Sequence, residues 1–133
     1  MTKKIVKVAV GVVLKGEQVL ICKRSAEQHQ GGLWEFPGGK IEASESVFSA
    51  LQRELKEEVD ITITKAQPLI DIDHDYGDKL VALKVLLVTD FVGEAKGLEG
   101  QPLCWVNKSQ LAEYEFPAAN QAILHALITY FKQ

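Results

Sequence analysis

Three carboxylates, Glu54, Glu57 and Glu58, follow one another at spacings of three and four residues. In a helix each residue advances about 100°, so positions i, i+3 and i+4 share one face. The surrounding pattern predicts a helix over 46–59, which puts all three near its C-terminal end. There the helix dipole penalises anions, and like charges at this spacing repel. Two carboxylates about 6 Å apart repel by roughly 0.7 kcal/mol in water and roughly 2.8 kcal/mol at an effective dielectric near 20. A cluster kept at that cost calls for a positive partner. Hard divalent cations take oxygen ligands, and Mg²⁺ keeps several waters while bridging one or two carboxylates to substrate phosphates. The competing account is a solvated acidic face relieved by Arg53 and Lys56.

The rest of the helix decides where those carboxylates point. Phe48, Leu51, Leu55 and Val59 fall on one arc, which must pack on a sheet. Glu54, Glu57 and Glu58 fall on the adjoining arc with Val47 and Ala50, whereas Ser49, Gln52 and Lys56 face elsewhere. The carboxylates therefore stand at the edge of the buried face, as the wall of a cleft. Ser44 or Ser46 is available to cap the helix start.

The elements that must position this helix are mostly strands. Ile5–Leu14 and Gln18–Lys23 read as strands around the turn Lys15-Gly16-Glu17, and Ser25–Gly32 reads as a polar loop. Trp34-Glu35-Phe36 is a short extended piece running into a Pro37-Gly38-Gly39 turn. Ile61–Asp73 and Leu80–Phe91 are two further strands around an Asp-Tyr-Gly-Asp turn. Gly93–Pro102 is a glycine-punctuated loop, Leu103–Val106 a short strand and Ser109–Tyr114 a helical turn. Pro117 suits the first turn of a last helix reaching Phe131, with Ile123, Leu124, Leu127, Ile128 and Phe131 as its apolar face. The order of elements predicts an α/β fold with a mixed β-sheet between helices.

A chain of 133 residues, 47% hydrophobic and 25% charged, is expected to form one domain with a substantial core. Its net charge of −3 argues against binding a nucleic-acid polymer or an anionic membrane. Cys22 and Cys104 form no CxxC pair and read as reduced core thiols, as in the cytoplasm. No apolar run reaches membrane-spanning length, and the first residues lack the apolar core of a signal peptide. A polyphosphate ligand of such an acidic chain requires metal ions between two sets of negative charge.

The run Gly39–Ile61 resembles the Nudix box, G-x5-E-x7-R-E-U-x-E-E-x-G-U, where U is a bulky aliphatic residue. Gly39, Glu45, Arg53, Glu54, Leu55, Glu57, Glu58 and Ile61 match. Asp60 stands where the pattern has Gly, a left-handed helix-closing position that Asp is among the few residues to tolerate. The likeness extends to Lys23-Arg24, Trp34–Lys40, Glu99-Gly100-Gln101-Pro102, Trp105 and Phe116–Asn120, which look like the corresponding stretches of the MutT-type branch of that family. Lys65–Phe91 carries much less of it.

The resemblance implies a Nudix-like α/β/α sandwich and a divalent-metal-dependent hydrolase, with Mg²⁺ as cofactor and Mn²⁺ as substitute. Its MutT-type members attack the β-phosphorus of a nucleoside triphosphate and release the monophosphate and pyrophosphate; 8-oxo-dGTP is the implied substrate. That role is nucleotide-pool sanitation, linked to DNA replication and repair, in a cytoplasmic monomer. The resemblance implies metal ligation by Glu54, Glu57, Glu58 and the Gly39 carbonyl, with Glu99 as a further ligand or alternative base. Glu54 becomes the general base, Arg53 its orienting partner, and Lys40 a neutraliser of the leaving phosphate. Glu45 reads as a cap or structural carboxylate. Asn120 shares the inward face of Ile123 and Leu124, where an amide must find partners; the resemblance makes that partner the purine base, against a plain backbone-bonded helix-start Asn. Arg24, His29 and Phe36 are further base or sugar contacts, and Lys79 stands where the resembled enzymes have an arginine. His74, His125 and Trp105 read as structural. The alternatives are the same chemistry on a pyrimidine triphosphate, or a non-catalytic nucleotide-binding module.

Overall fold

β-Branched and aliphatic residues alternate along two strands that need burial on both faces. β1 (Lys4–Lys15) and β6 (Lys79–Val92) run parallel, from Lys4 opposite Lys79 to Val13 opposite Val88. Successive side chains point to opposite faces. Val10, Val12, Leu83, Val85 and Leu87 therefore enter one core, and Ala9, Val13, Leu86 and Val88 enter the other. A parallel pair buried on both faces requires a helix over each. The computed structural model that defines this arrangement describes residues 3–24 and 32–132.

α1 (Val47–Val59) covers one face through Ala50, Leu51, Leu55 and Val59, all fully buried. Each such leucine contributes roughly 1.5–3 kcal/mol by leaving water. α2 (Gln121–Phe131) covers the other through Ile123 and Leu127. β5 (Thr62–Asp75) pairs antiparallel with β6 at the sheet edge, where Pro68 is tolerated because no outer neighbour needs its missing N–H. β2 (Gln18–Lys23) turns back from β1 through Gly16, at φ 62°, and pairs with both β3 (Trp34–Glu35) and β7 (Leu103–Asn107). The result is the expected mixed sheet between helices.

Three local expectations change. Pro37-Gly38-Gly39 is not a simple turn, because Gly38–Lys40 forms β4, antiparallel to Val8–Val10 of β1. A Cβ at Gly38 would lie 2.1 Å from the Ala9 carbonyl oxygen, so the glycine permits backbone contact rather than chain reversal. The last α-helix starts at Gln121 rather than Pro117, after a 3₁₀ turn over Ala118–Asn120. Pro117 has ψ 153°, an extended value that keeps it outside the helix. The two long strands also run further than their sequence signal, Thr62–Asp75 against Ile61–Asp73 and Lys79–Val92 against Leu80–Phe91. Their polar ends continue the pairing ladder although they bury little.

Ser46 is the cap of α1, its hydroxyl accepting the Ser49 N–H at 3.0 Å. At the other end Asp60 is left-handed (φ 60°, ψ 33°), as its place in the motif predicted, and Lys56 reaches its carboxylate at 3.0 Å. No helix among the described residues is long and apolar enough to cross a membrane.

Candidate active site

α1 packs with its last two turns beside β4, and this brings Glu54 and Glu58 to the floor of a cleft of about 550 Å³. Lys23 and Arg24 from the end of β2, Glu35 from β3, Gly38 from β4 and the loop Glu99–Pro102 complete its lining. A Cβ at Gly39 would lie 2.3 Å from the Glu54 carboxylate, so only glycine lets that carboxylate lie against the β4 backbone.

Arg53 fixes Glu54 from behind. Its guanidinium makes a bidentate pair with Glu45, Nε and Nη2 donating at 2.8 Å each, and Nη1 donates to Glu54 at 2.8 Å. Nη2 also reaches the Lys40 carbonyl at 3.1 Å, which ties the helix to β4. The i,i+4 contact with Glu57, at 3.7 Å, is the loosest of the set. Glu45 precedes the capping Ser46 and accepts the Glu42 N–H, so it is a structural carboxylate rather than a cap. Arg53 first, then that N–H, hold its carboxyl down at about 2.

Glu58 has the opposite electrostatics. Burial, then the charges of Glu35 and Glu99, push its carboxyl up to about 8; the Gly38 N–H opposes them, and Glu54 adds to the push. Burial likewise raises Glu35, although Arg24 is ion-paired with it and pulls the other way. Among the described residues the cleft thus gathers four carboxylates, from Glu35, Glu54, Glu58 and Glu99, against two cations, Lys23 and Arg24.

Such a donor set fits a hard divalent cation. Its carboxylates offer oxygen donors, and Glu58, raised first by burial and then by the charges of Glu35 and Glu99, is a group whose charged form a cation would favour. Among the described residues no three acidic, histidine or cysteine side chains converge as a ready-made cage.

A second, narrower cavity of about 190 Å³ shares the wall formed by Arg24, Glu35 and Gly38. It is lined by Phe36, Val81, Leu83, Pro117 and Ile123, with Asn120, His74 and Tyr76 as its polar points. Phe36, 4% exposed and stacked on Phe116 at 5.2 Å between centroids, is both core and pocket wall. Asn120 stands at the cap position of α2, not inside its first turn. Its side chain makes no capping hydrogen bond to the helix, and the residue is part of the pocket lining.

The sequence-derived residues therefore divide. Glu54, Glu58, Glu99 and Arg24 meet in the cleft, while Phe36 and Asn120 meet in the adjoining pocket, where Arg24 also borders the wall. Glu57, with its side chain 61% exposed, lies outside the cleft lining, as does the exposed Lys40. His29 lies outside the described residues. His74, read as structural, lines the pocket beside Tyr76, their rings 4.4 Å apart, at the point where β5 ends at Asp75. Lys79 lies over the Tyr76 ring at 5.9 Å. Glu35 also went unnoticed, although it lies between two aromatic residues of a stretch carrying the family likeness.

A NUDIX domain model matches residues 9–126. The 8-oxo-dGTP diphosphatase of Haemophilus influenzae is 36% identical over 130 residues, which cover 96% of this chain and 95% of that one. The CTP pyrophosphohydrolase of Escherichia coli is 31% identical over 125 residues, covering 94% and 93%. A MutT structure from work on Aliivibrio salmonicida and Vibrio cholerae superposes with a TM-score of 0.87 at 38% identity, over 96% of this chain and 100% of that one.

Proposed function

The chain belongs to the Nudix hydrolase family, and from that premise we propose that it is a nucleoside triphosphate pyrophosphohydrolase acting on 8-oxo-dGTP. Nudix hydrolases depend on divalent metal and act on small nucleotides; Mg²⁺ is the ion proposed here, with Mn²⁺ as its substitute. The observation that carries the reading is the shared wall of Arg24, Glu35 and Gly38. It joins a carboxylate cleft suited to a metal–triphosphate to a largely apolar pocket with Asn120 in its lining.

Bound metal supplies charge neutralisation of the polyphosphate and its Lewis acidity. The Gly39 carbonyl and the carboxylates of Glu54, Glu57, Glu58 and Glu99 are its proposed ligands. Glu54 takes the proton of the water that attacks the β-phosphorus, with Glu99 as the alternative base; the bond from the β-phosphorus to the α-bridging oxygen breaks and the nucleoside monophosphate departs. Arg53 holds Glu54 in register, through the 2.8 Å contact it makes while anchored on Glu45. Lys40 neutralises the departing phosphate. Phe36 and Arg24 flank the nucleoside, together with His29, and Asn120 hydrogen-bonds the base edge, where both its donor and its acceptor are useful.

The E. coli relative named for CTP favours a second reading, the same chemistry on a pyrimidine triphosphate. A non-catalytic binding module is disfavoured by the retention of Glu54, Glu57 and Glu58. The proposed setting is a cytoplasmic monomer that clears oxidised nucleotides ahead of DNA replication, with no nucleic-acid polymer or membrane as partner. Product analysis with 8-oxo-dGTP tests it: 8-oxo-dGMP and pyrophosphate are expected with Mg²⁺, and neither after chelation. Orthophosphate release, or metal-independent turnover, would contradict the reading.

A further inference from the structure

Glu99 lies on a loop, and loops hold side chains less firmly than helices. One residue compensates. The Gln101 side chain reaches in two directions: its Oε1 accepts the Glu99 N–H at 3.0 Å, and its Nε2 donates to the Glu58 carbonyl at 3.2 Å. The backbone partners fix the amide's orientation, since rotating it by 180° would set donor against donor and acceptor against acceptor. The Glu58 carbonyl, one of those α1 leaves without a partner of its own, also accepts the Leu98 N–H at 3.1 Å, and the Val59 carbonyl accepts the Lys96 N–H at 2.9 Å. Gly97 closes the arrangement, because a Cβ there would come within 2.2 Å of the Gln101 carbonyl oxygen.

We propose that Gln101 is a positioning residue that sets Glu99 against Glu58 by bridging the Glu99 N–H and the α1 backbone with one side-chain amide. It acts through Glu99 and takes no proton itself. The inference rests on Glu99 being a metal ligand or base, as read above. The clamp joins Glu99, borne on a loop of the cleft, to the helix that carries Glu54 and Glu58. Without it, Glu99 keeps its charge but loses its fixed distance from them. Residues that orient ligands in this way tune metal affinity by about 10- to 100-fold.

The experiment uses Gln101→Met, which keeps the side-chain length and removes both hydrogen bonds, and Gln101→Ala as a second variant should Met disturb the fold. Amide hydrogen exchange on the metal-free protein reads the geometry directly. Faster exchange at the Glu99 N–H, with α1 unchanged, is expected; unchanged exchange at Glu99 overturns the clamp. Mn²⁺ affinity by calorimetry and the Mg²⁺ concentration for half-maximal turnover are then measured for Gln101→Met, Glu99→Gln and the double variant. The account expects each single variant to weaken metal binding about tenfold and the double to be no worse than Glu99→Gln alone. Losses that multiply would show that Gln101 acts independently of Glu99 and overturn the proposal. A wild-type protein without turnover would sink the functional reading instead, and the exchange and Mn²⁺ results would still judge the clamp.

Discussion

The two cavities meet at one wall and are built in different ways. The carboxylate cleft draws Glu54 and Glu58 from consecutive turns of one helix, and Arg53 locks Glu54 through Glu45 and the Lys40 carbonyl. The neighbouring pocket draws Phe36, the pair His74 and Tyr76, and Asn120 from three separate parts of the chain. The cleft is polar and carries more negative charge than its cations offset; the pocket is mostly apolar with a few polar points. Holding a cation against a phosphate needs closely spaced oxygens, and one helix supplies two of the cleft's carboxylates at a fixed spacing. Recognition of a base needs walls on several sides, which only tertiary structure supplies. Chemistry and selectivity should accordingly be separable by mutation.

The largest effect should come from Glu54→Gln. Loss of the base is expected to lower kcat about 10²- to 10⁴-fold, a far larger change than the loss of one metal ligand makes in nucleotide affinity measured by calorimetry. A variant that turns over normally would show that the proton goes elsewhere, with Glu99 next to be tested. On the other side of the wall, Asn120→Ala should cut the preference for 8-oxo-dGTP over dGTP about 10- to 100-fold, the scale of one or two lost polar contacts in a buried site. Turnover of poor substrates should persist. If selectivity is untouched while kcat falls, the division between the cavities is wrong.

A smaller effect should follow from the charge of the cleft. In the metal-free fold Glu58 holds its proton up to about 8, whereas an unfolded chain releases it near the ordinary 4.5. Between those values the folded state binds more protons, so this group's contribution to stability falls as pH rises. A divalent cation must displace that proton and supplies the missing positive charge. The rise in Tm caused by Mg²⁺ should therefore grow from about pH 5 to about pH 8, as scanning fluorimetry with and without metal would measure; a constant rise would contradict it. The smallest effect lies outside both cavities. Asp60→Gly relieves a left-handed residue, worth roughly 1 kcal/mol, and loses the exposed Lys56 pair, worth about 0.3–0.5 kcal/mol. A slight gain in Tm with unaltered kcat is expected, and a loss of turnover would tie the helix end to the chemistry.

Legibility in the sequence followed the same division. The helix, its capping region, the buried arc of Leu51, Leu55 and Val59, and the left-handed Asp60 are local consequences of spacing and residue type, and all appear as expected. Glu54 and Glu58, which meet in the cleft, were equally local, whereas Glu57 on the same stripe stays outside its lining. What escaped was set by distant neighbours. Gly38-Gly39 read as a turn because glycine's two uses, reversing a chain and admitting another backbone, look alike until β1 is in place. Pro117 looked like a helix start, yet the chain needs a 3₁₀ turn there before α2 can dock, and this is what frees Asn120 from capping. Glu35 carries no spacing signal toward Arg24, and His74 none toward Asn120, which the start of α2 brings from far along the chain.

The most direct test is kcat/KM for 8-oxo-dGTP, dGTP and CTP, measured side by side with Mg²⁺ by pyrophosphate release. The account predicts turnover of all three through the one cleft, with 8-oxo-dGTP favoured at least about tenfold. Equal values, or a preference for CTP, would keep the cleft's chemistry and contradict the assignment of the pocket to an oxidised purine.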